Sequence, residues 1–187
     1  MQAKQLKWTP RLLALAAGTM LALAAEPTLK VGDPAPKLQT GEWVQGKQMK
    51  EFQKGNAYII EFWATWCGPC RTSIPHLNGI HKRFKDQGLT VIGQNCWEWD
   101  DSLVLPFVKK MGDKMTYCVA LDDKPVHEKG RMAETWMVAA GCQSIPSAFV
   151  VDTKGIVVWI GHPLQLKKTM IANVLAGKFV PSKPSEK

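Results

Sequence analysis

Residues 58–70 read Tyr-Ile-Ile-Glu-Phe-Trp-Ala-Thr-Trp-Cys-Gly-Pro-Cys. The first part is an apolar, β-prone run, as expected of a buried central strand over Ala57 to Ala64. Cys67 and Cys70 then bracket Gly68-Pro69 at the entrance to a helical pattern. Two cysteines at this spacing can close a short disulfide at a helix start. The first N–H groups of the helix and its dipole favour a thiolate on the first cysteine. A thiolate beside a second thiol meets the requirements of thiol–disulfide exchange. On its own the pair also allows a metal site or a structural bridge.

Alternation continues outward from this stretch. The spacing predicts a helix over Gly68 to Gln87, with Leu77, Ile80 and Phe84 on one face, Pro75 as a kink and Gly88 as a stop. A second buried strand is expected over Leu89 to Cys96. A helix follows from Ser102 or Leu105 to Met111, with Ser102 as cap and Gly112 as stop. Met115 to Leu121 reads as a third strand and Lys129 to Ala140 as a helix with Met132 and Trp136 facing the core. Ser147 to Val151 and Ile156 to Ile160 form a hairpin across Asp152-Thr153-Lys154-Gly155. Leu166, Met170 and Val174 mark a last helix ending near Gly177. Before all of these, residues 26 to 57 carry prolines and glycines that suit short strands and turns. The order predicts an α/β fold with a mainly parallel sheet, helices on both faces and an antiparallel edge from the final hairpin. Chemistry in such sheets sits at the carboxyl ends of strands, where Cys67 falls.

The chain has 187 residues, enough for one domain with a sizeable core. Its start differs from the rest. Lys4, Lys7 and Arg11 precede an uncharged Ala/Leu-rich run from Leu12 to Ala25, and Ala22-Leu23-Ala24 fits a small-x-small cleavage site. That is the pattern of a secretory signal peptide over 1–25, cleaved near Ala24/Ala25, with an uncleaved anchor as the alternative. A single domain is then expected over 26–180 and a disordered tail over 181–187. Removing the three basic residues of the leader from 24 Lys+Arg leaves an excess of five over 16 Asp+Glu. That excess is scattered, as in Lys109-Lys110 and Lys167-Lys168, and suits solvated helix faces rather than nucleic-acid binding. Five cysteines in an exported chain is an odd count, so at least one of Cys96, Cys118 and Cys142 stays unpaired.

The whole pattern resembles the thioredoxin superfamily, and within it the TlpA/ResA-like exported thiol–disulfide oxidoreductases. Val31-Gly32-Asp33-Pro34-Ala35-Pro36 matches their opening, Glu61 to Arg71 their active-site strand and turn, and Ser144-Ile145-Pro146-Ser147 with Phe149 to Asp152 their cis-proline loop and following strand. Pro146 follows Cys70 by 76 residues, which leaves room for the helix and strand this group inserts. The fold implied is thioredoxin-like, a central mixed sheet flanked by helices, with an N-terminal β extension and that insertion before the cis-Pro loop.

The resemblance implies roles. Cys67, the more exposed thiol, attacks a protein disulfide. Cys70, deeper in the helix, resolves the mixed disulfide. Glu61 stands where thioredoxins carry a buried aspartate, and where many TlpA-like relatives have no charge. Amid Ile59, Ile60, Phe62 and Trp63 it is costly unless paired or protonated, so it is a candidate to take and return the Cys70 proton. A pairing with a lysine such as Lys154 is the alternative. Pro146 is expected to be cis, with Ile145 offering backbone hydrogen bonds to an extended substrate. Trp66, Gly68 and Pro69 complete the expected contact surface, and Trp63 is expected to pack inside. Trp97, Glu98 and Trp99 either extend that surface or pack at its rim. Ser73 stands where the group often has a glutamate, and Cys142 where it has an aliphatic residue. Cys142 reads as a small buried hydrophobe or a third redox thiol, and no Cys96–Cys118 bridge is expected.

A zinc or copper site fits poorly, because His76 and His81 are spaced i, i+5. No cofactor is expected. The implied partners are a disulfide-containing protein substrate and a membrane or envelope thiol donor, and a monomer is expected. Apocytochrome c is one substrate class of the group and general envelope disulfides another. Gly68-Pro69 resembles the dipeptide of reducing thioredoxins, which points to reduction. Two rival functions share the fold. One is a non-catalytic peptide-binding module, and the other is a peroxidase using Thr65 and a lone cysteine.

Overall fold

The structure is a computed structural model and describes residues 26–124 and 129–180. The expected signal peptide and C-terminal tail lie outside the described residues. Six strands form one sheet in the order β1-β4-β3-β2-β5-β6. They are β1 (Thr40–Gln45), β2 (Ala57–Trp63), β3 (Leu89–Asn95), β4 (Cys118–Asp122), β5 (Ser147–Val151) and β6 (Val157–Gly161). Among the described residues three α-helices accompany them: α1 (Gly68–Phe84), α2 (Val104–Met111) and α3 (Lys168–Leu175).

All seven residues of β2 are buried, which explains its unbroken apolar sequence. Alternation divides its side chains between two cores. Ala57, Ile59 and Trp63 share a core with Ile74, Leu77 and Ile80 of α1, Val104 and Val108 of α2, and Ile171 and Val174 of α3. Tyr58, Ile60 and Phe62 face the other side, with Leu29, Leu38, Met132, Trp136 and Met137. Each such large side chain contributes about 1.5–3 kcal/mol by leaving water. Glu61 falls on the first of these faces, toward α1.

Helix α1 starts where expected and its α-helical part ends at Phe84; a 3₁₀ turn, Lys85–Gln87, carries it to Gly88. Gly88 has φ 90°, a left-handed conformation that suits glycine at a helix end. Lys82 and Arg83 in the last turn complement the helix dipole. Among the described residues no helix is long and apolar enough to cross a membrane.

Several expectations change in detail. The sheet is parallel only through β2, β3 and β4. β1, β5 and β6 all run antiparallel to their neighbours. No helical crossover joins β1 to β2, so nothing imposes a parallel direction on β1, and it covers the free edge of β4. Asp100 rather than Ser102 starts the second helical stretch, because the Asp100 carboxylate accepts the Ser102 N–H at 2.9 Å. A 3₁₀ turn, Asp101–Leu103, precedes α2. β4 begins later than the apolar run suggests. The Met115 and Tyr117 carbonyls accept the Gln45 side-chain amide at 2.8 and 2.7 Å instead of joining the ladder. The stretch expected to be an α-helix near 129–140 is π-helical over Ala133–Val138. The Ala139 N–H bonds the Glu134 carbonyl five residues back, and the wider turn buries Met132, Trp136 and Met137 together.

Candidate active site

The carboxyl end of β2 runs directly into the cysteine pair. Cys67 is the N-cap of α1, and its sulfur accepts the Cys70 N–H at 3.1 Å. Pro69 sits in the first helical turn, where its missing N–H costs no hydrogen bond. Cys67 and Cys70 form a disulfide, with Cα atoms 5.3 Å apart. Cys67 is 3% exposed and Cys70 0%, so the expected order of access holds, but the first sulfur is far less open than foreseen. Gly68 and Pro69 are exposed beside it.

The Ile145–Pro146 peptide is cis, and it lies against the disulfide. Cys67 Sγ is 3.8 Å from the Ile145 carbonyl oxygen. This is a contact rather than a hydrogen bond, since a disulfide sulfur has no proton.

Glu61 is fully buried on the α1 side of β2. Among the described residues it has no lysine partner: Ser73 donates to Oε1 at 2.7 Å and Tyr117 donates to Oε2 at 2.9 Å. Burial raises its pKa from an ordinary 4.5 to about 7, against the lowering effect of these two donors. Burial, with the Glu61 charge beside it, pushes the Tyr117 phenol well above its usual range. Neither partner was singled out from the sequence. Tyr117 lies in an apolar run with no polar signature, and Ser73 drew notice only as a missing acid. The i, i+3 spacing from Cys70 was the available clue for Ser73.

The segment after β3 divides its residues between two tasks. Trp66 is 39% exposed and Trp99 82%, and their rings stack at 5.4 Å and 11°. The Trp66 indole N–H donates to the Trp97 carbonyl at 3.0 Å. Glu98, by contrast, turns inward. Its carboxylate accepts the Thr65 N–H at 2.7 Å, the Thr65 hydroxyl at 2.9 Å and the Asn95 amide at 3.1 Å. It thereby fixes the turn that presents Cys67, and it occupies the hydroxyl that a peroxidase would aim at peroxide. Arg71 donates to the Thr65 carbonyl at 2.8 Å and closes the same turn. Trp63 is buried, as expected of a packing residue.

Cys96, Cys118 and Cys142 are free thiols. Ile92, not Cys96, is the register partner of Cys118, which keeps those two sulfurs apart. Burial raises the pKa of all three, most strongly for Cys96, so none is set up as a thiolate at neutral pH. Cys142 is half-buried against the second core.

A disulfide at a helix N-terminus, beside a cis-proline and above a buried acid on the central strand, defines a thioredoxin-like thiol-exchange centre. Comparisons with known proteins agree. The family model described as AhpC/TSA matches residues 31–160, and the chain belongs to that family. It is 28% identical to Protein FixW of Rhizobium leguminosarum over 149 residues, which cover 76% of this chain and 65% of FixW. It is 30% identical to the thiol-disulfide oxidoreductase ResA of Bacillus thuringiensis subsp. konkukian over 135 residues, covering 71% of this chain and 70% of ResA. Among solved structures, a thiol:disulfide interchange protein of the thioredoxin family from Chlorobium tepidum superposes with TM-score 0.56 at 29% identity. That match covers 83% of this chain and 98% of the other. The chain is therefore an enzyme of the thiol–disulfide oxidoreductase class, which exchanges electrons with disulfide- or dithiol-bearing partners.

Proposed function

We propose that this protein reduces disulfides of polypeptides outside the cytoplasm. The observation that carries this reading is the Cys67–Cys70 pair set between the cis Ile145–Pro146 peptide and the buried Glu61. In the reduced enzyme the Cys67 thiolate attacks one sulfur of the substrate disulfide. That S–S bond breaks, a Cys67–substrate bond forms, and the second substrate sulfur leaves as a thiolate. Glu61 takes the proton of Cys70. The Cys70 thiolate attacks Cys67, the Cys67–Cys70 bond forms, and the remaining substrate thiolate leaves and is protonated. Two electrons pass from the enzyme dithiol to the substrate, and a dithiol donor in the envelope restores the enzyme by the reverse exchange.

The Ile145 backbone serves as the edge along which an extended substrate pairs. Exposed Trp66, Gly68 and Pro69 form its contact surface. The leader pattern of residues 1–25 supports an extracytoplasmic location, and the alternating pattern over 26–180 supports a single thioredoxin-like domain. Gly68-Pro69 supports reducing polarity, with a potential near that of thioredoxin, about −270 mV. A measured potential above about −180 mV would reverse the polarity.

Trapping tests the mechanism. A Cys70→Ala variant accumulates mixed disulfides through Cys67, which mass spectrometry identifies in an envelope fraction. A Cys67→Ser/Cys70→Ser pair abolishes the activity. If that double variant retains biological function, the protein works as a binding module instead.

A further inference from the structure

Two hydroxyl groups reach Glu61 from opposite elements. Ser73 comes from α1 and Tyr117 from the segment before β4. The Ser73 oxygen is also 3.0 Å from the Cys70 carbonyl oxygen. A serine hydroxyl has one proton, so it serves one of these two acceptors at a time. With Glu61 ionised, Oε1 accepts the Ser73 proton. With Glu61 protonated on Oε1, the carboxyl donates to Ser73, and Ser73 donates to the Cys70 carbonyl. The protonation of Glu61 is thereby linked to the backbone of the resolving cysteine.

Tyr117 can reach the acid only because β3 has no side chain at the crossing. Glu61 is the register partner of Gly93. A Cβ at Gly93 would lie 2.9 Å from Tyr117 Cε2 and 3.0 Å from Trp63 Nε1. Contacts this short require the phenol or the indole to move. Glycine at 93 thus leaves the space through which a phenol beyond β3 meets a carboxylate on β2.

The surroundings add no competing charge. Around Glu61 stand Ser73 of α1, Gly93 of β3, Ala148 of β5 and Tyr117. Burial and the two hydroxyl bonds account for its proton affinity, with no contribution from a cation. His81 of α1 stands behind Tyr117, ring centroids 6.2 Å apart, and burial with neighbouring Lys85 favours its neutral form.

We propose that Ser73 and Tyr117 are positioning residues that hold Glu61 and tune its proton exchange with Cys70, Ser73 moving its hydroxyl between Glu61 and the Cys70 carbonyl as the proton transfers. This rests on the reading of Glu61 as the acceptor of the Cys70 proton. The step is balanced as written above: the Cys70 S–H proton goes to Glu61, the sulfur lone pair makes the Cys67–Cys70 bond, and the leaving substrate thiolate takes a proton back.

The test compares Ser73→Ala, Ser73→Thr, Tyr117→Phe and Glu61→Gln with wild type. The carboxyl band of Glu61 is titrated by difference infrared spectroscopy, and the single-turnover rate of the reduced enzyme with excess peptide disulfide is followed from pH 5 to 9. Each lost donor destabilises the ionised carboxylate, so Ser73→Ala and Tyr117→Phe each move the infrared midpoint up by about one pH unit. The rate–pH profile moves with it, and the rate at neutral pH, which follows the ionised fraction of Glu61, falls about fivefold. Ser73→Thr keeps the hydroxyl and the wild-type midpoint. An unmoved midpoint in either Ser73→Ala or Tyr117→Phe overturns the proposal. An unchanged rate–pH profile in Glu61→Gln overturns instead the assignment of Glu61 on which it rests. The infrared midpoint separates tuning from a general loss of stability, which would leave it in place.

Discussion

Replacing Glu61 by glutamine changes how stability depends on pH. The folded protein holds this carboxyl at about 7 against an ordinary 4.5, a rise of roughly 2.5 units. At 1.36 kcal/mol per unit, that is about 3 kcal/mol. The sign follows from proton binding. Between these two values the folded state holds a proton that the unfolded chain has released, so raising the pH favours unfolding. The contribution of Glu61 to stability is complete below pH 4.5 and is lost as the pH rises through about 7. Glutamine is never ionised and lacks this slope. Denaturant unfolding of the oxidised proteins, measured from pH 4 to 9, reports the difference between variant and wild type at each pH. That difference is expected to move in favour of glutamine by about 3 kcal/mol across the range. Asp122, whose carboxyl burial raises to about 6, gives a slope of the same sign in both proteins and cancels in the subtraction. A constant offset leaves the argument intact, because only the slope carries it. A difference that stays level within about 0.5 kcal/mol from pH 4 to 9 would falsify the claim that burial governs this acid.

Other perturbations test the frame around the site. Glu98→Ala strands the Thr65 and Asn95 donors that its carboxylate now satisfies. It is expected to cost about 2–3 kcal/mol in denaturant unfolding and to slow exchange at Cys67, whereas unchanged stability would remove Glu98 from the support of the active-site turn. Asp122→Ala removes the acceptor of the Met132 and Ala133 N–H groups at the entry to the π-helical turn. A loss of about 1–2 kcal/mol is expected at pH 8, read from the unfolding midpoint. Gly93→Ala pushes a methyl group onto Tyr117 and Trp63. Overpacking of this kind lowers stability by about 1–3 kcal/mol, and a thermal midpoint equal to wild type would show that the rings yield freely. Thiol counting with a chromogenic disulfide at pH 8 should find Cys96 unreactive in the native oxidised protein, while denaturation releases all three free thiols.

Much of the site was legible in linear order because its parts are local. An apolar strand followed by Cys67-Gly-Pro-Cys70 determines a strand, a turn and a helix start within a few residues. Pro146 was expected to be cis because its loop resembles the cis-proline loop of the thioredoxin superfamily, and X-Pro bonds are those that readily adopt that isomer. Glu61 stood out because a charge inside an apolar run demands an explanation. The strand and helix order followed from alternating periodicities, whereas element ends, the π-helical turn over Ala133–Val138 and the antiparallel placing of β1 and β5 were set by the packing. A hairpin or a crossover sets the direction of a strand, and β1 has neither.

What surrounds Glu61 was decided by tertiary structure alone. Ser73, Gly93 and Tyr117 lie 12, 32 and 56 residues beyond it, and their meeting depends on the register of β2 with β3 and on where β4 begins. Glu98 is similar: its inward turn toward Thr65 cannot be told from the neighbouring exposed tryptophans in a Trp-Glu-Trp run. By itself the sequence determined which atoms exchange electrons, since that chemistry belongs to two cysteines three residues apart. Only the packing of α1, β3 and the β4 entrance decided which groups surround Glu61, because a buried carboxylate takes its proton affinity from distant donors and from the exclusion of water.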